Sequence, residues 1–216
     1  MYKRQTVDFD TALRGVQAVT GATGEAFEMV ADQARDLGAT TQFTATQAAE
    51  AQTFLGRAGF ETNEILAATP GLLSLAAAGQ LDLARAADIA SNVVQGFNLE
   101  ASETGRVSDI LAEAAANANT NVKQLGSAMS FVAPVSNSLG VSIEETTAAV
   151  GFLSDAGIQA ERAGTGLRRV MLALLDPTRE AQDALDAAGI SATDSEGNFV
   201  GLMDVVGQLE LSLIHI

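Results

Sequence analysis

Alanine sets the limits on what this chain can build. Of its 216 residues 47% are hydrophobic, yet only 5% are aromatic and none is Trp, so much of the apolar content is alanine. Alanine is the strongest helix former and brings little side chain to bury. The composition therefore predicts long, close-packed helices over thin cores. The fold class is mainly α, an elongated array of alanine-rich amphipathic helices and helical hairpins. At this length the chain has room for one or two domains.

Helix punctuation supports that reading. Phe27, Val30, Ala34 and Leu37 mark a helix that ends near Gly38, a residue suited to a left-handed C-terminal position. Thr44 with Gln47 and Ser142 with Glu145 form capping-box patterns, and Asn121 with Gln124 forms a weaker one. Asp82 is placed to cap a helix running to about Val94, and "TPG" at Thr69 to Gly71 separates one short helix from the next.

"FTATQAAEAQTFLGRAGF" from Phe43 aligns without gaps to "VSIEETTAAVGFLSDAGI" from Val141, sharing Phe54/Phe152, Leu55/Leu153 and Gly59/Gly157 among others. Each unit reads as an apolar residue, a hydroxyl cap, a helix, and a glycine stop followed by an apolar anchor. Duplication and convergence on the same capping grammar explain the match equally well. Later, "GISATDSEGNFVGL" places two short β-capable segments, around Ile190 to Thr193 and Phe199 to Val200, on either side of an Asp-Ser-Glu-Gly-Asn turn, which predicts a small hairpin. Its acids do not make a calcium loop, because Gly197 stands at the fourth position from Asp194 and not the sixth.

The net charge of -15 and a pI near 4.2 oppose direct binding to nucleic acid or an anionic membrane, both of which want basic patches. The absence of cysteine removes thiol catalysis, thiolate metal sites and disulfides. "MYKRQTVDFD" lacks the apolar stretch of a secretory signal, and no apolar run approaches the length of a membrane span. A soluble product inside a cell is expected.

The stretch "GIQAERAGTGLRRVMLALLDP", Gly157 to Pro177, tempts a phosphate-loop reading. The lysine after the last glycine is missing, and Arg169 stands where a dinucleotide fingerprint needs its third glycine. The segment reads instead as the entry to a helix, with Leu167, Val170, Met171 and Leu174 on one apolar stripe and Arg168 and Arg169 off it. Arg162, Arg168 and Arg169 are the one concentrated positive group late in the chain. They form either a docking patch for an acidic neighbour, another copy of this chain included, or a solvated helix start paired with nearby acids.

Catalytic candidates are few. Glu144 and Glu145 sit in a first helical turn, where negative charge complements the dipole. Arg106, Asp109 and Glu113 have the i+3 and i+4 spacings of surface pairs. No Ser has triad partners, so neither an enzyme, a metal nor a cofactor is expected.

The sole histidine, His215, lies in the ending "LSLIHI", which turns uniformly apolar after "GLMDVVGQLE". The DNA string CTG TCT CTT ATA CAC ATC encodes it, and that string resembles the transposon mosaic-end adaptor used to build sequencing libraries. Residues 211–216 are therefore read as adaptor-derived, with the natural gene continuing past Glu210.

Taken in order, "ARDLGATTQFTATQAAEAQTFLGRAGF", "PGLLSLAAAGQLDLARAADI", "SFVAPVSNSLGVSIEETTAAVGFLSDAGIQAERAGTGLRRVMLALLDP" and "ALDAAGISATDSEGNFVGLMDVVGQL" resemble the core region of phage tail tape-measure proteins. The resemblance runs from about Ala34 to Leu209. Its most distinctive part is "AGTGLRRVMLALLDP" after "LSDAGI"; the motif positions are Gly157 in the latter and Gly164, Gly166, Leu167 and Pro177 in the former. The division that follows is 1–38 an N-terminal helical segment, 39–210 the helical core cut short at its C-terminal end, and 211–216 the adaptor remnant.

The resemblance implies a scaffold of a long-tailed phage that fixes tail length while tube subunits polymerise around it, and that leaves the tube before DNA passes. It implies several copies along the tail axis, with tail tube protein, tail-assembly chaperones and tail tip or baseplate proteins as partners. The implied locations are the host cytoplasm during assembly and then the tube lumen of the virion tail. The segment looks like the family's conserved core and not the long variable rod.

The expected outcome at the gene is direct: resequencing the source locus through the codon for Glu210 yields a frame that runs on without "LSLIHI". A natural stop codon after Ile216 would defeat the adaptor reading.

Overall fold

A computed structural model describes residues 2–215, with side chains described for residues 7–212. Eleven α-helices follow one another among these residues. They are α1 (Tyr2–Thr20), α2 (Glu25–Thr40), α3 (Ala45–Arg57), α4 (Thr62–Gly79), α5 (Leu83–Gly96) and α6 (Thr104–Asn117). After these come α7 (Val122–Ser138), α8 (Ile143–Asp155), α9 (Glu161–Leu175), α10 (Arg179–Ala187) and α11 (Leu202–His215). One 3-10 turn, Ala101–Glu103, leads into α6.

The caps form where hydroxyls and carboxamides were expected. The Thr44 Oγ1 accepts from the Gln47 N–H at 3.2 Å, and the Gln47 Oε1 accepts from the Thr44 N–H at 2.9 Å, a closed capping box. Asp82 and Asn121 accept from the N–H groups of Arg85 and Gln124, each at 2.9 Å. Ser142 makes only half a box. Its Oγ accepts from the Glu145 N–H at 3.2 Å, but the Glu145 carboxylate accepts from the Met203 N–H at 3.0 Å and so ties α8 to the start of α11.

The two similar units give helices of the same length and the same stop. Gly59 and Gly157 take φ of 95° and 85°, and the N–H groups of Phe60 and Ile158 return to the carbonyls of Leu55 and Leu153. Such a left-handed C-terminal glycine satisfies carbonyls that the helix leaves open.

Three sequence expectations are corrected. Gly38 does not end α2, which runs on to Thr40; a Cβ at Gly38 would strike the backbone of Ala45, so this glycine permits close approach of α3. Pro70 does not break α4. Proline frees the carbonyl four residues back, and the Gln33 Nε2 donates to that carbonyl, Leu66 O, at 2.6 Å. The β-capable segments form no strands, only a single antiparallel bridge between Thr193 and Phe199. With only one such pairing and no third strand, no sheet develops.

The substantial packing is between helices one or two apart in the chain, with a slighter α4–α7 contact three apart. Two rows result, α1–α3–α5–α7–α9 and α2–α4–α6–α8, staggered against each other. This is the logic of a helical stack, in which each unit touches only its neighbours. The chain exposes 11785 Å² where a compact protein of 22.2 kDa exposes about 9,400 Å², in keeping with an elongated array.

Small residues carry the crossings. A Cβ at Gly71 would meet Thr104 and Gly105 of α6, one at Gly126 would meet Ile89 of α5, and one at Gly164 would strike the backbone of Ala128 in α7. One core runs through the stack, from Leu13, Val16 and Val30 through Leu72, Ile89 and Leu125 to Met129, Leu167 and Met171. A second, small cluster of Ile190, Ala192 and Val205 packs with Leu174 and Leu185 beyond it.

The α9 helix starts at Glu161, so "GTGLRR" lies within it and not at its entry. Its buried stripe is Ala163, Gly164, Leu167 and Met171; Val170, expected on that stripe, is 51% exposed. The close α7 crossing at Gly164 shifts the contact line toward the small residues and leaves Val170 beside it. Ala160 caps this helix at φ 52°, ψ -133°. Gly24 caps α2 in nearly the same conformation, φ 57° and ψ -132°. Glycine tolerates that geometry, whereas an alanine there is strained.

Three substitutions in this helix have opposite expected signs in urea or thermal unfolding. Gly164→Ala lowers stability by about 2 kcal/mol despite better helix propensity, because its Cβ has no room. Gly166→Ala raises it by about 0.5–1 kcal/mol, since nothing lies within 4 Å of that position. Ala160→Gly raises it by about 1 kcal/mol by relieving the cap. Equal effects at Gly164 and Gly166 would refute the crossing geometry.

Candidate functional site

The α9 helix gathers most of the residues singled out from sequence. Arg162, Arg168 and Arg169 are exposed on it, and none takes part in an ion pair among the described residues. They stand as solvated side chains without the pairing to nearby acids. Leu172, 45% exposed, lies one turn beyond Arg168 and Arg169 on the same outer face. Gly164 and Leu167 face inward, Gly166 opens outward, Gly157 ends α8, and Pro177 follows α9 half-buried. The outer face of α9 thus carries Arg162 and Arg169 at its centre, with Arg168 and Leu172 along one side and Val170 on the opposite flank.

A second surface lies between α6 and α8. A groove of about 320 Å³ runs between them, floored by Ala114, Ala118, Ala148 and Gly151 and walled by Ile110 and Phe152. Its rim carries Glu113, Glu144 and Asp155, with no Lys or Arg among the lining residues. Thr147 also lines it, 1% exposed, and its Oγ1 has no hydrogen-bond partner. Buried hydroxyls rarely go unpaired.

Arg106 bridges α6 and α8 through Glu144, a residue of the groove rim. It donates to Glu103 at 2.6 Å and to the Glu144 Oε1 at 2.6 and 2.9 Å, clamping α6 to α8. The expected pairing of Arg106 with Asp109 and Glu113 does not occur; the guanidinium reaches back and across, leaving both acids without an ion pair among the described residues. Partial burial pushes the Glu144 carboxyl up, but hydrogen bonds from Arg106 and its own backbone and the Arg106 charge together hold it below the ordinary value. Arg106 is correspondingly raised by its hydrogen bonds to Glu144 and Glu103.

Sequence reading missed the groove although it touched one wall. Phe152 was legible only as the counterpart of Phe54. Phe54 is half-buried, with the Arg57 guanidinium 5.9 Å from its ring centroid. Phe152 is 66% exposed. The signal available was that Arg57 has no basic counterpart in the second unit, where Asp155 ends the helix.

The acids of the Asp-Ser-Glu-Gly-Asn turn have structural work. The Asp194 carboxylate accepts from the backbone N–H groups of Asn198 and Glu196, both at 2.9 Å, and from the Asn198 side chain at 3.1 Å. Those bonds, led by Asn198, hold it below its usual range. Among the described residues no group of three or more His, Asp or Glu is placed to hold a metal ion. Among the described residues no single helix is long and apolar enough to cross a membrane.

Comparison with known proteins gives these surfaces a context. The chain is 39% identical over 203 residues to the tape measure protein of Pneumococcus phage Dp-1, covering 94% of this chain and 18% of that protein. It is 35% identical over 199 residues to the probable tape measure protein of Escherichia phage P2, covering 91% of this chain and 24% of the relative. The chain thus spans about a fifth to a quarter of the length of these relatives. No solved structure matches. The model of the family described as phage-related minor tail protein matches residues 31–215, most of the helical stack and both surfaces, and the chain belongs to that family.

Proposed function

We propose that this chain is the core region, over residues 39–210, of a structural scaffold of a long-tailed phage that sets tail length during tube assembly and leaves the tube before DNA ejection. The observation that carries the reading is the similarity to two phage tape measure proteins along more than nine-tenths of the chain. In this role several copies lie along the tail axis. Tail tube protein, tail-assembly chaperones and tail tip or baseplate proteins are the partners, first in the host cytoplasm and then in the lumen of the virion tail. The outer face of α9, with Arg162, Arg168 and Arg169, is a docking patch toward another copy.

Two physical features support this. A helical stack built from neighbour contacts extends without needing a globular core, which suits a narrow cylindrical space. A net charge of -15 discourages adhesion to DNA that must share that space, so the scaffold needs no nucleic-acid contact. Catalysis is not part of the role.

The test is made in the phage that carries the gene. In-frame removal of residues 43–175 gives particles without tails, or with tails of scattered length, in negative-stain electron micrographs. Tails of normal number and uniform length would overturn the proposal and leave a helical interaction module with no part in the tail.

A further inference from the structure

The proposed docking patch on α9 has no assigned receptor, and the same chain carries a surface that matches it. We infer that the groove between α6 and α8 receives the outer face of α9 from a second copy, giving a head-to-tail contact between identical chains. This rests on the reading that α9 docks another copy, and adds which surface receives it.

Two observations point the same way. Arg168 and Arg169 are exposed without an ion pair among the described residues, and beside them on the same side of the helix Leu172 is 45% exposed. The groove offers the complement, an apolar floor with Glu113 and Asp155 on its rim and no basic residue in its lining. Glu113 makes no ion pair among the described residues, so it is available to an incoming arginine. No residue of α9 lines the groove, so a chain does not fill its own.

A helix that sets an apolar side chain, here Leu172, into a groove while flanking charges fix its register is a form of helix-in-groove recognition. Donor and receptor are different surfaces of one chain, so the contact is heterologous. Such contacts propagate into rings or open filaments and do not close as two-fold dimers. The groove is small and its rim exposed, so the association is weak, reversible and sensitive to salt.

Sedimentation velocity on two complementary variants tests this. Arg168→Glu with Arg169→Glu removes the donor face, and Glu113→Lys with Phe152→Lys removes the receptor; all four side chains are solvent-facing or on the groove wall, and circular dichroism confirms folding. The wild type shows concentration-dependent association beyond a dimer, and each variant alone sediments as a monomer. Their mixture gives a one-to-one heterodimer, because one intact donor face meets one intact groove. The receptor variant is less negative than the wild type, so its loss of association does not come from added repulsion. Variants that still associate as the wild type does, or a mixture that stays monomeric, overturn the α9-to-groove contact alone. A wild type that is monomeric at every concentration also sinks the reading of α9 as a self-docking patch.

Discussion

Close approach of helix backbones is the constraint on which the rest of this structure depends. At the α4–α6, α5–α7 and α7–α9 crossings a glycine stands where a side chain would collide with the neighbouring helix. Alanines fill the remaining stripes: Ala48, Ala49 and Ala51 in α3, Ala86, Ala87 and Ala90 in α5, Ala128 and Ala133 in α7 are all buried. Each buries little area, so burial per residue is modest. Compensation comes from dispersion between close-packed backbones, which grows with the number of atoms in contact. An alanine-rich chain is stable as a stack because its helices approach more nearly than leucine-lined helices could.

The same constraint explains the polar groups inside. Gln52, fully buried, donates to the Val30 carbonyl and to Gln33 Oε1, each at 3.1 Å, and Gln33 passes its own amide to the Leu66 carbonyl. This relay joins α3, α2 and α4 and repairs the carbonyl that Pro70 strands. A thick apolar core would bury such amides at a loss. Where backbones lie close, carbonyls come within reach of side-chain amides, and one proline is absorbed without a kink that separates two helices. Ser108 does the same at the next crossing, donating to Gly71 O at 2.7 Å.

What sequence made legible follows from which interactions are local. Caps at Thr44, Asp82, Asn121 and Ser142 and glycine stops at Gly59 and Gly157 depend on residues within one turn, and the hydroxyl, carboxylate and amide patterns reveal them. Gly38, Pro70 and Val170 were misread because their outcome is decided by a partner helix: Ala45 against Gly38, Gln33 reaching the Leu66 carbonyl, and α7 drawing the buried stripe of α9 toward Gly164. The arginines of α9 were visible as charge. The groove was not, since it is made by the approach of α6 to α8, and its rim residue Glu144, bound by Arg106 across that gap, already had a sufficient local explanation in its first-turn position.

A stack that propagates by neighbour contacts has no internal reason to stop, and the distribution of uncovered apolar side chains shows where this one remains open. Of the ten large hydrophobic residues exposed among the described residues before residue 211, eight lie from Phe131 onward, including Phe152, Val170 and Leu172 around α8 and α9 and Met203, Val206 and Leu209 on α11. The early helices cover one another more completely; there only Val7 and Met29 stand out. Wet apolar surface in a chain of such high negative charge persists because like charge keeps random encounters apart. In the proposed contact the local positive charge of α9 offsets that repulsion at short range, so a net charge that opposes random encounters favours those in which an arginine meets an acid.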